Sequence, residues 1–106
     1  MAEVILTPDA VEDIIEIYNY ILERDGEEQA EAILNRLKKR VCGLDKLALC
    51  GKFPEELVPV GNRKVREVQE APWRIFYRTD GDKVFVLSIL DGRRAMQELL
   101  LERMVR

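Results

Sequence analysis

The chain has 106 residues, of which 47% are hydrophobic and 35% charged, and its formal net charge is −3. This length and balance are typical of a single soluble globular domain. No apolar run approaches the roughly 20 residues that a membrane-spanning helix needs, so we expect a cytoplasmic protein without a membrane partner. The sequence has no histidine and two cysteines. It therefore excludes Ser-His and Cys-His nucleophile pairs, and we expect no metal and no cofactor.

Charge is distributed unevenly along the chain. Residues 1–60 carry 7 lysines and arginines against 13 aspartates and glutamates, whereas residues 61–106 carry 10 against 7. A basic second half in an acidic chain favours an anionic or acidic partner for that half. The net negative charge argues against tight nonspecific binding to nucleic acid, which depends on many phosphate contacts.

The first two predicted elements are a short strand and a helix. Residues 2–7, AEVILT, form an apolar run that predicts a strand. Thr7 and Pro8 then predict a helix start, with Thr7 as N-cap and the proline at the first helical position. We expect this helix to end near Arg24, before Asp25-Gly26. Its apolar stripe should contain Val11, Ile14, Ile15, Tyr18, Ile21 and Leu22. Its solvated face should contain Glu12, Asp13, Glu16 and Glu23.

A second helix is predicted from Glu27, with one apolar stripe that continues to Leu47 or Ala48, or about six turns. Two amphipathic helices joined so closely should fold back as an antiparallel hairpin. On such a helix Cys42 and Cys50 would lie about 12 Å apart, too far for a disulfide, so we expect free thiols in or near the core. Glycines and prolines predict a loop over residues 53–62.

Three strands and a helix are predicted in the second half of the chain. The strands cover Val65–Glu70, residues 73–79 and residues 83–90, and the helix covers residues 94–104. Asp80-Gly81 between the last two strands predicts a β-hairpin. The resulting order, β-α-α-β-β-β-α, predicts one α+β domain over residues 1–106 with a small antiparallel sheet. The place of the first strand in that sheet is left open.

The candidate binding residues are arginines of the basic half. Arg74 alternates against Trp73 and Ile75, so it should leave the opposite face of the sheet. Pairing of neighbouring strands would bring several arginines together, and a guanidinium suits phosphate or carboxylate. We expect one outward cationic surface made of Arg66, Arg74, Arg78, Arg93 and Arg94. The alternative is an ordinary solvated face, on which Arg66 pairs with Glu67 or Glu70.

Tyr77 is the only tyrosine of the predicted strands. By alternation it shares a face with Trp73 and Ile75. We therefore expect a core aromatic with a solvated hydroxyl rather than a catalytic acid or base.

Several segments, in this order and spacing, resemble the RelE/ParE toxin superfamily. They are TPDAVEDIIEIYNYI, KFPE, VREV and WRIFYRTDGDKVFVLSILDGRR. The resemblance covers nearly the whole chain. It implies a small antiparallel sheet packed against a helical hairpin. It also implies the toxin half of a type II toxin–antitoxin module, often named a plasmid stabilisation protein, with a cognate antitoxin as partner.

The superfamily divides by activity. RelE-like members cleave mRNA on the ribosome with basic residues and a tyrosine of the C-terminal helix, and the resemblance would then make Arg74 and Arg93 or Arg94 catalytic. Leucines at positions 99–101 stand where that tyrosine is expected. The long hairpin and the LDGRR segment resemble the ParE-type branch, whose members inhibit DNA gyrase.

We therefore expect a ParE-like toxin that inhibits growth through a protein such as gyrase, and we do not expect an enzyme. One alternative is a ribosome-dependent mRNA endoribonuclease. The other is a non-toxic member that only binds its antitoxin.

Overall fold

Four strands and four α-helices make up the computed structural model, which describes residues 2–104. The elements are β1 (Glu3–Leu6), α1 (Pro8–Asp25), α2 (Glu27–Cys42), α3 (Leu44–Leu47), a 3₁₀ helix (Glu55–Val60), β2 (Val65–Glu70), β3 (Trp73–Asp80), β4 (Lys83–Asp91) and α4 (Met96–Met104). The predicted α+β class is confirmed. Residues 1, 105 and 106 of the expected domain lie outside the described residues.

The start of α1 follows the predicted capping. The hydroxyl of Thr7 accepts a hydrogen bond from the Ala10 N–H at 3.4 Å, and Pro8 opens the first turn. At the other end Gly26 has φ +93° and donates its N–H to the Leu22 carbonyl. Glycine adopts this conformation without a steric penalty, so α2 begins at once and the hairpin forms.

The buried face of α1 is rotated from the predicted stripe. Ala10 and Ile21 are buried, whereas 52% of Ile15 is exposed. Val11 and Leu22 are exposed as well. Helical spacing is compatible with the predicted stripe and with the observed buried face. Ala10 and Asp13, three residues apart, both lie on the face that meets the sheet.

The second helix is shorter than predicted. It ends at Cys42, Gly43 caps it, and α3 follows with Leu44 fully buried. Glycine is a poor helix former, which agrees with the end of α2 at this position. Cys42 and Cys50 are free, as expected, but both are exposed, so their predicted place in or near the core is wrong.

The sheet has the order β1-β4-β3-β2. The predicted hairpin is confirmed, because β3 and β4 pair antiparallel and Gly81 in the turn has φ +62°. β2 and β3 also pair antiparallel, whereas β1 lies parallel to β4. A parallel neighbour requires a long crossover connection, and the helical hairpin with the following strands supplies it.

Two apolar clusters cover the two faces of this sheet. The larger lies between the sheet and the helical hairpin and includes Leu37, Ile75 and Tyr77. The smaller lies under the 3₁₀ helix and α4 and includes Phe76 and Leu100. Between residues 2 and 104 no helix is long and apolar enough to cross a membrane.

Candidate functional site

Arg74 is held between two carboxylates. It leaves the sheet face opposite Trp73 and Ile75, as predicted, but the 3₁₀ helix covers it there. Its Nε and Nη2 donate to Glu67 at 2.7 and 2.8 Å, and its Nη1 and Nη2 donate to Glu56 at 2.7 and 2.8 Å. The exposed fraction is 14% for the Arg74 side chain and 1% for Glu67. The guanidinium therefore has few donors left for a ligand.

These contacts fix the charge states of the group. The hydrogen bonds that Arg74 donates to Glu56 and then to Glu67 raise the pKa of Arg74 far above its usual range. The same hydrogen bond from Arg74 lowers the pKa of Glu56. Gly92 leaves room for the arginine, since a Cβ there would lie 3.1 Å from the Arg74 Cδ and from the Pro72 carbonyl.

Arg66 and Arg78 do not join Arg74. Arg66 lies on the other face, where it donates to the Gly51 carbonyl at 2.9 Å and covers the Phe53 ring at 4.5 Å. Arg78 is exposed and stacks over Phe85 at 4.9 Å. The alternative, pairing of Arg66 with Glu67 or Glu70, is also wrong: Glu67 points to the opposite face of β2 and pairs with Arg74, and Glu70 pairs with Arg36.

Arg93 and Arg94 follow β4 in a loop. Arg93 makes two short hydrogen bonds to Asp91, at 2.9 and 2.6 Å, and this contact lowers the pKa of Asp91 to about 2. Arg94 is exposed and makes no ion pair with any residue of the described range 2–104. The expectation of one outward surface shared by all five arginines is thus wrong.

A groove of about 560 Å³ lies between α1, α2 and the adjoining ends of β3 and β4. Apolar side chains form its base: Ile17, Ile21, Ile33, Trp73 and Ile89. Exposed arginines stand along its rim: Arg24, Arg36, Arg93 and Arg94. We call it the arginine-rimmed groove. An apolar base with exposed guanidinium groups beside it suits an amphipathic segment that carries carboxylates.

The groove has no formal net charge, because its four arginines are matched by four carboxylates: Asp13, Glu16, Asp25 and Asp91. Arg24 pairs with Asp25 at 2.8 Å, and Arg36 pairs with Glu70 at 2.7 Å. Both arginines are at least half exposed, so each pair is weak and an incoming carboxylate can exchange with it.

Asp13 closes one end of this groove. It is 5% exposed and accepts hydrogen bonds from the Ile89 N–H at 2.9 Å and from Arg103 of α4 at 3.0 Å. Arg103 also donates to Ser88, and its pKa is raised chiefly by Asp13. The prediction of a solvated Asp13 is wrong. Its spacing of three from Ala10 and four from Ile17 could have shown that it lies on the buried face.

Tyr77 is a core residue, as predicted, but its hydroxyl is not solvated. It donates to the Ala48 carbonyl at 2.7 Å and accepts from the Gly51 N–H at 3.0 Å. Burial raises the pKa of this phenol. The hydroxyl therefore anchors the segment after α3 to the sheet.

Comparison with known proteins agrees with this architecture. The profile of the family described as ParE toxin of type II toxin–antitoxin system, parDE, matches residues 4–96. The chain belongs to the ParE toxin family. The curated Toxin ParE3 of Caulobacter vibrioides is 31% identical over 93 residues, which are 88% of this chain and 89% of that protein.

A solved structure shares the fold. It is described as the chromosomal ParDE TA system from P. aeruginosa, and the matching chain is 22% identical with a TM-score of 0.70. The match covers 86% of this chain and 96% of that one. The predicted RelE/ParE-like fold is therefore confirmed, and the family profile ends where α4 begins.

The sequence alone predicted only part of the arginine-rimmed groove. Arg93 and Arg94 were expected to bind, whereas Arg24 and Arg36 were not. Arg24 lies three residues after Ile21, and Arg36 lies three residues after Ile33; both isoleucines line the groove. That spacing places both arginines beside the buried face of their helices.

Among residues 2–104 no three potential ligand side chains converge on a metal position.

Proposed function

We infer that this protein is the toxin of a type II toxin–antitoxin pair. A cognate antitoxin neutralises it by docking an acidic, amphipathic segment in the arginine-rimmed groove. The free toxin stops growth in the cytoplasm through a protein target such as DNA gyrase. The observation that carries this function is the groove itself, in which exposed arginines surround apolar side chains.

The state of Arg74 supports a non-cleaving toxin over an RNA-cleaving one. A phosphate-binding arginine needs free donors, and Arg74 spends its Nε and both Nη atoms on Glu56 and Glu67. Two carboxylates at that place also repel a phosphate. In α4, Leu100 is fully buried in the smaller apolar cluster, and its side chain has no group that could act as an acid or base.

Growth measurements test the toxin–antitoxin assignment. Induced expression of the protein alone should arrest growth, and co-expression of the small reading frame next to its gene should restore it. Unimpaired growth on expression of the folded protein would contradict the assignment. The folded state is checked by circular dichroism of the purified chain.

Two assays on purified components separate the cellular targets. In a supercoiling assay, micromolar protein should block DNA gyrase. In primer extension on translated mRNA, the same protein should leave the transcript intact. Normal supercoiling with excess protein would exclude gyrase, and cuts in ribosome-bound mRNA would assign the nuclease activity instead.

The docking site can be tested by charge reversal. Arg94→Glu should weaken binding of the antitoxin about tenfold, because one charge-assisted hydrogen bond is lost and a like charge is introduced. Arg63→Glu is the matched control, since Arg63 is exposed and lies outside the groove. Isothermal titration calorimetry measures both. Equal affinities of the two variants would place the antitoxin elsewhere.

A further inference from the structure

A row of apolar side chains runs along the solvent side of α1. Val11, Ile15 and Leu22 are exposed, and Tyr18 between them is half-buried. Their spacing of four, three and four residues places them in one line along the helix. This line is about 16 Å long at a rise of about 1.5 Å per residue, so it can contact about three turns of another helix.

The buried side of α1 is a different one. Ala10 and Ile21 belong to the larger apolar cluster, and Asp13 is buried at the end of the arginine-rimmed groove. None of the four residues of the apolar row lines that groove. A ligand in the groove therefore leaves the apolar row uncovered.

A second row, on α2, runs beside the first. It consists of Glu27, Glu31, Leu34 and Lys38, again at intervals of four, three and four residues. Burial, and after it the charges of Glu31 and Glu27, raises the pKa of the Tyr18 hydroxyl. Both carboxylates therefore lie near this hydroxyl, which places the second row against the first.

The helical hairpin sets the register of the two rows. Because α1 and α2 are joined by one residue and run antiparallel, a step back along α1 is a step forward along α2. Ile15 is therefore level with Leu34, since each lies three residues from the Tyr18–Glu31 pair. We call the two rows together the hairpin seam.

Acidic side chains accompany the hairpin seam. On the α1 side, Glu12 lies three residues before Ile15 and is its neighbour on the helix surface. Glu12, Glu27 and Glu31 are exposed, and none of them forms an ion pair with another residue of the described range 2–104. Three carboxylates thus stand against the single charge of Lys38, so the seam combines apolar side chains with unpaired negative charge.

The exposed part of the seam is not used by the fold. Within residues 2–104, Val11, Ile15 and Leu22 belong to neither of the two apolar clusters. A single exposed apolar side chain is ordinary, whereas a contiguous apolar patch with a polar rim is typical of a protein interaction site. The seam therefore has the character of a docking surface.

Spacing and charge select the occupant. Apolar residues at alternating intervals of four and three fit the side chains of a second helix, as in a coiled coil. The carboxylates beside them favour lysines and arginines on that helix. A second copy of this chain would bring the same carboxylates, and the acidic antitoxin segment of the proposed function would be repelled in the same way.

We propose that the hairpin seam binds a basic amphipathic helix of a protein other than the antitoxin. The apolar side of this helix packs on Ile15 and Leu22, and its lysines or arginines approach Glu12 and Glu31. The seam and the arginine-rimmed groove lie on different sides of α1, so the protein holds both partners at once. The inference goes beyond the proposed function and does not depend on it.

Binding of a synthetic helix to the purified chain tests the seam. The probe is a fluorescein-labelled peptide of about three heptads, with leucine at positions a and d and lysine at e and g. A matched peptide carries glutamate at e and g. In fluorescence anisotropy at low salt the lysine peptide should bind about tenfold more tightly, because like charges oppose the glutamate peptide. Equal affinities, or no binding of either peptide, would overturn the proposal.

An apolar substitution locates the bound peptide. Ile15→Gln removes apolar contact area and should weaken binding of the lysine peptide about tenfold. Leu49→Gln is the matched control, since Leu49 is exposed in the segment after α3 and lies outside the seam. Both sites are exposed, and circular dichroism checks that the variants fold. Equal losses in the two variants would place the peptide elsewhere and overturn the proposal.

A charge substitution tests the choice of a basic partner. Glu31→Lys should weaken binding of the lysine peptide and strengthen binding of the glutamate peptide, each about tenfold. Glu98→Lys makes the same change of charge at an exposed site on α4 and should alter neither affinity. An equal effect of the two variants would mean that only net charge matters, which would overturn the seam as the site.

Two further measurements separate the other occupants. The wild-type chain should be monomeric by analytical ultracentrifugation, and a dimer that Ile15→Gln dissociates would replace the basic helix by a second copy. Saturation with the protein of the adjacent reading frame should leave the affinity for the lysine peptide unchanged. Competition between them would assign the seam to the antitoxin and overturn the proposal. Failure of the adjacent gene product to bind would contradict the proposed function, whereas the peptide results would still decide the seam.

Discussion

The Arg74 guanidinium and the Glu67 carboxylate form a two-point contact at 2.7 and 2.8 Å across neighbouring strands. Glu67 is one of the most deeply buried charged side chains of the described residues, with 1% of its surface exposed. A carboxylate in that position is stable only with a hydrogen-bonded cation. Arg74 is therefore required by the fold, whatever else it does.

Substitution of Arg74 should expose that dependence. Arg74→Ala leaves the buried Glu67 charge with only the Lys52 ammonium, 4.0 Å away, and should lower the free energy of unfolding by about 3–5 kcal/mol. Arg74→Met combined with Glu67→Gln should recover much of the loss. Urea denaturation measures both. Arg78→Ala is the matched control, and this exposed site should change stability by no more than about 0.5 kcal/mol. A similar small effect for Arg74→Ala would contradict the structural role.

Removal of the Tyr77 hydroxyl should loosen the segment after α3. Tyr77→Phe leaves the Gly51 N–H and the Ala48 carbonyl without their partner and should cost about 1–2 kcal/mol. Thermal unfolding followed by circular dichroism gives the value. Tyr20→Phe provides the comparison, because 58% of Tyr20 is exposed. Equal melting temperatures for the two variants would show that the hydroxyl contact is not formed.

Asp13 should control the attachment of α4. Asp13→Ala removes the partner of Arg103 and the acceptor of the Ile89 N–H, so stability should fall by about 3–5 kcal/mol. Hydrogen exchange should accelerate in α4 before the other elements. Glu12→Ala changes the same charge on the exposed neighbour and should leave α4 protected. An unchanged exchange rate in the Asp13 variant would mean that the ion pair does not hold this helix.

Acid should destabilise the end of β4, where Asp91 lies. The pKa of this carboxyl is about 2 in the folded chain against an ordinary value of 3.8. Between these values the unfolded state binds more protons, so stability is present above about pH 4 and is lost as pH falls towards 2. Because Arg93 is 73% exposed, the contribution is about 1 kcal/mol at most.

Urea denaturation between pH 2 and 5 measures this dependence. Asp91→Asn should flatten the curve. Glu56, whose pKa Arg74 also lowers, contributes a slope of the same sign in both proteins. An identical pH profile for the variant and the wild type would refute the assignment to Asp91.

Local rules in the sequence predicted the elements well. Thr7-Pro8, Asp25-Gly26 and Asp80-Gly81 each determine a boundary through the φ/ψ values and hydrogen bonds of two adjacent residues. Each of these signals depends only on residues within a short segment of the chain. The family resemblance then supplied the assembly of these elements, which local rules do not contain.

The site was less predictable, because its contacts join distant residues. Glu56 lies 18 residues from Arg74, and Asp13 lies 90 residues from Arg103. Alternation in a strand says which face a side chain takes, and it correctly placed Arg74 opposite Ile75. It does not say what covers that face, so the 3₁₀ helix and its glutamate could not be foreseen.

The first strand, β1, belongs to the sheet through its pairing with the last strand, β4. β1 pairs only with β4 among the described strands, and about 75 residues separate them in sequence. During translation, β1 therefore has no strand to pair with until residues 83–86 have left the ribosome. Assembly of the sheet must wait for the nearly finished polypeptide, so a prematurely terminated product cannot assume this architecture.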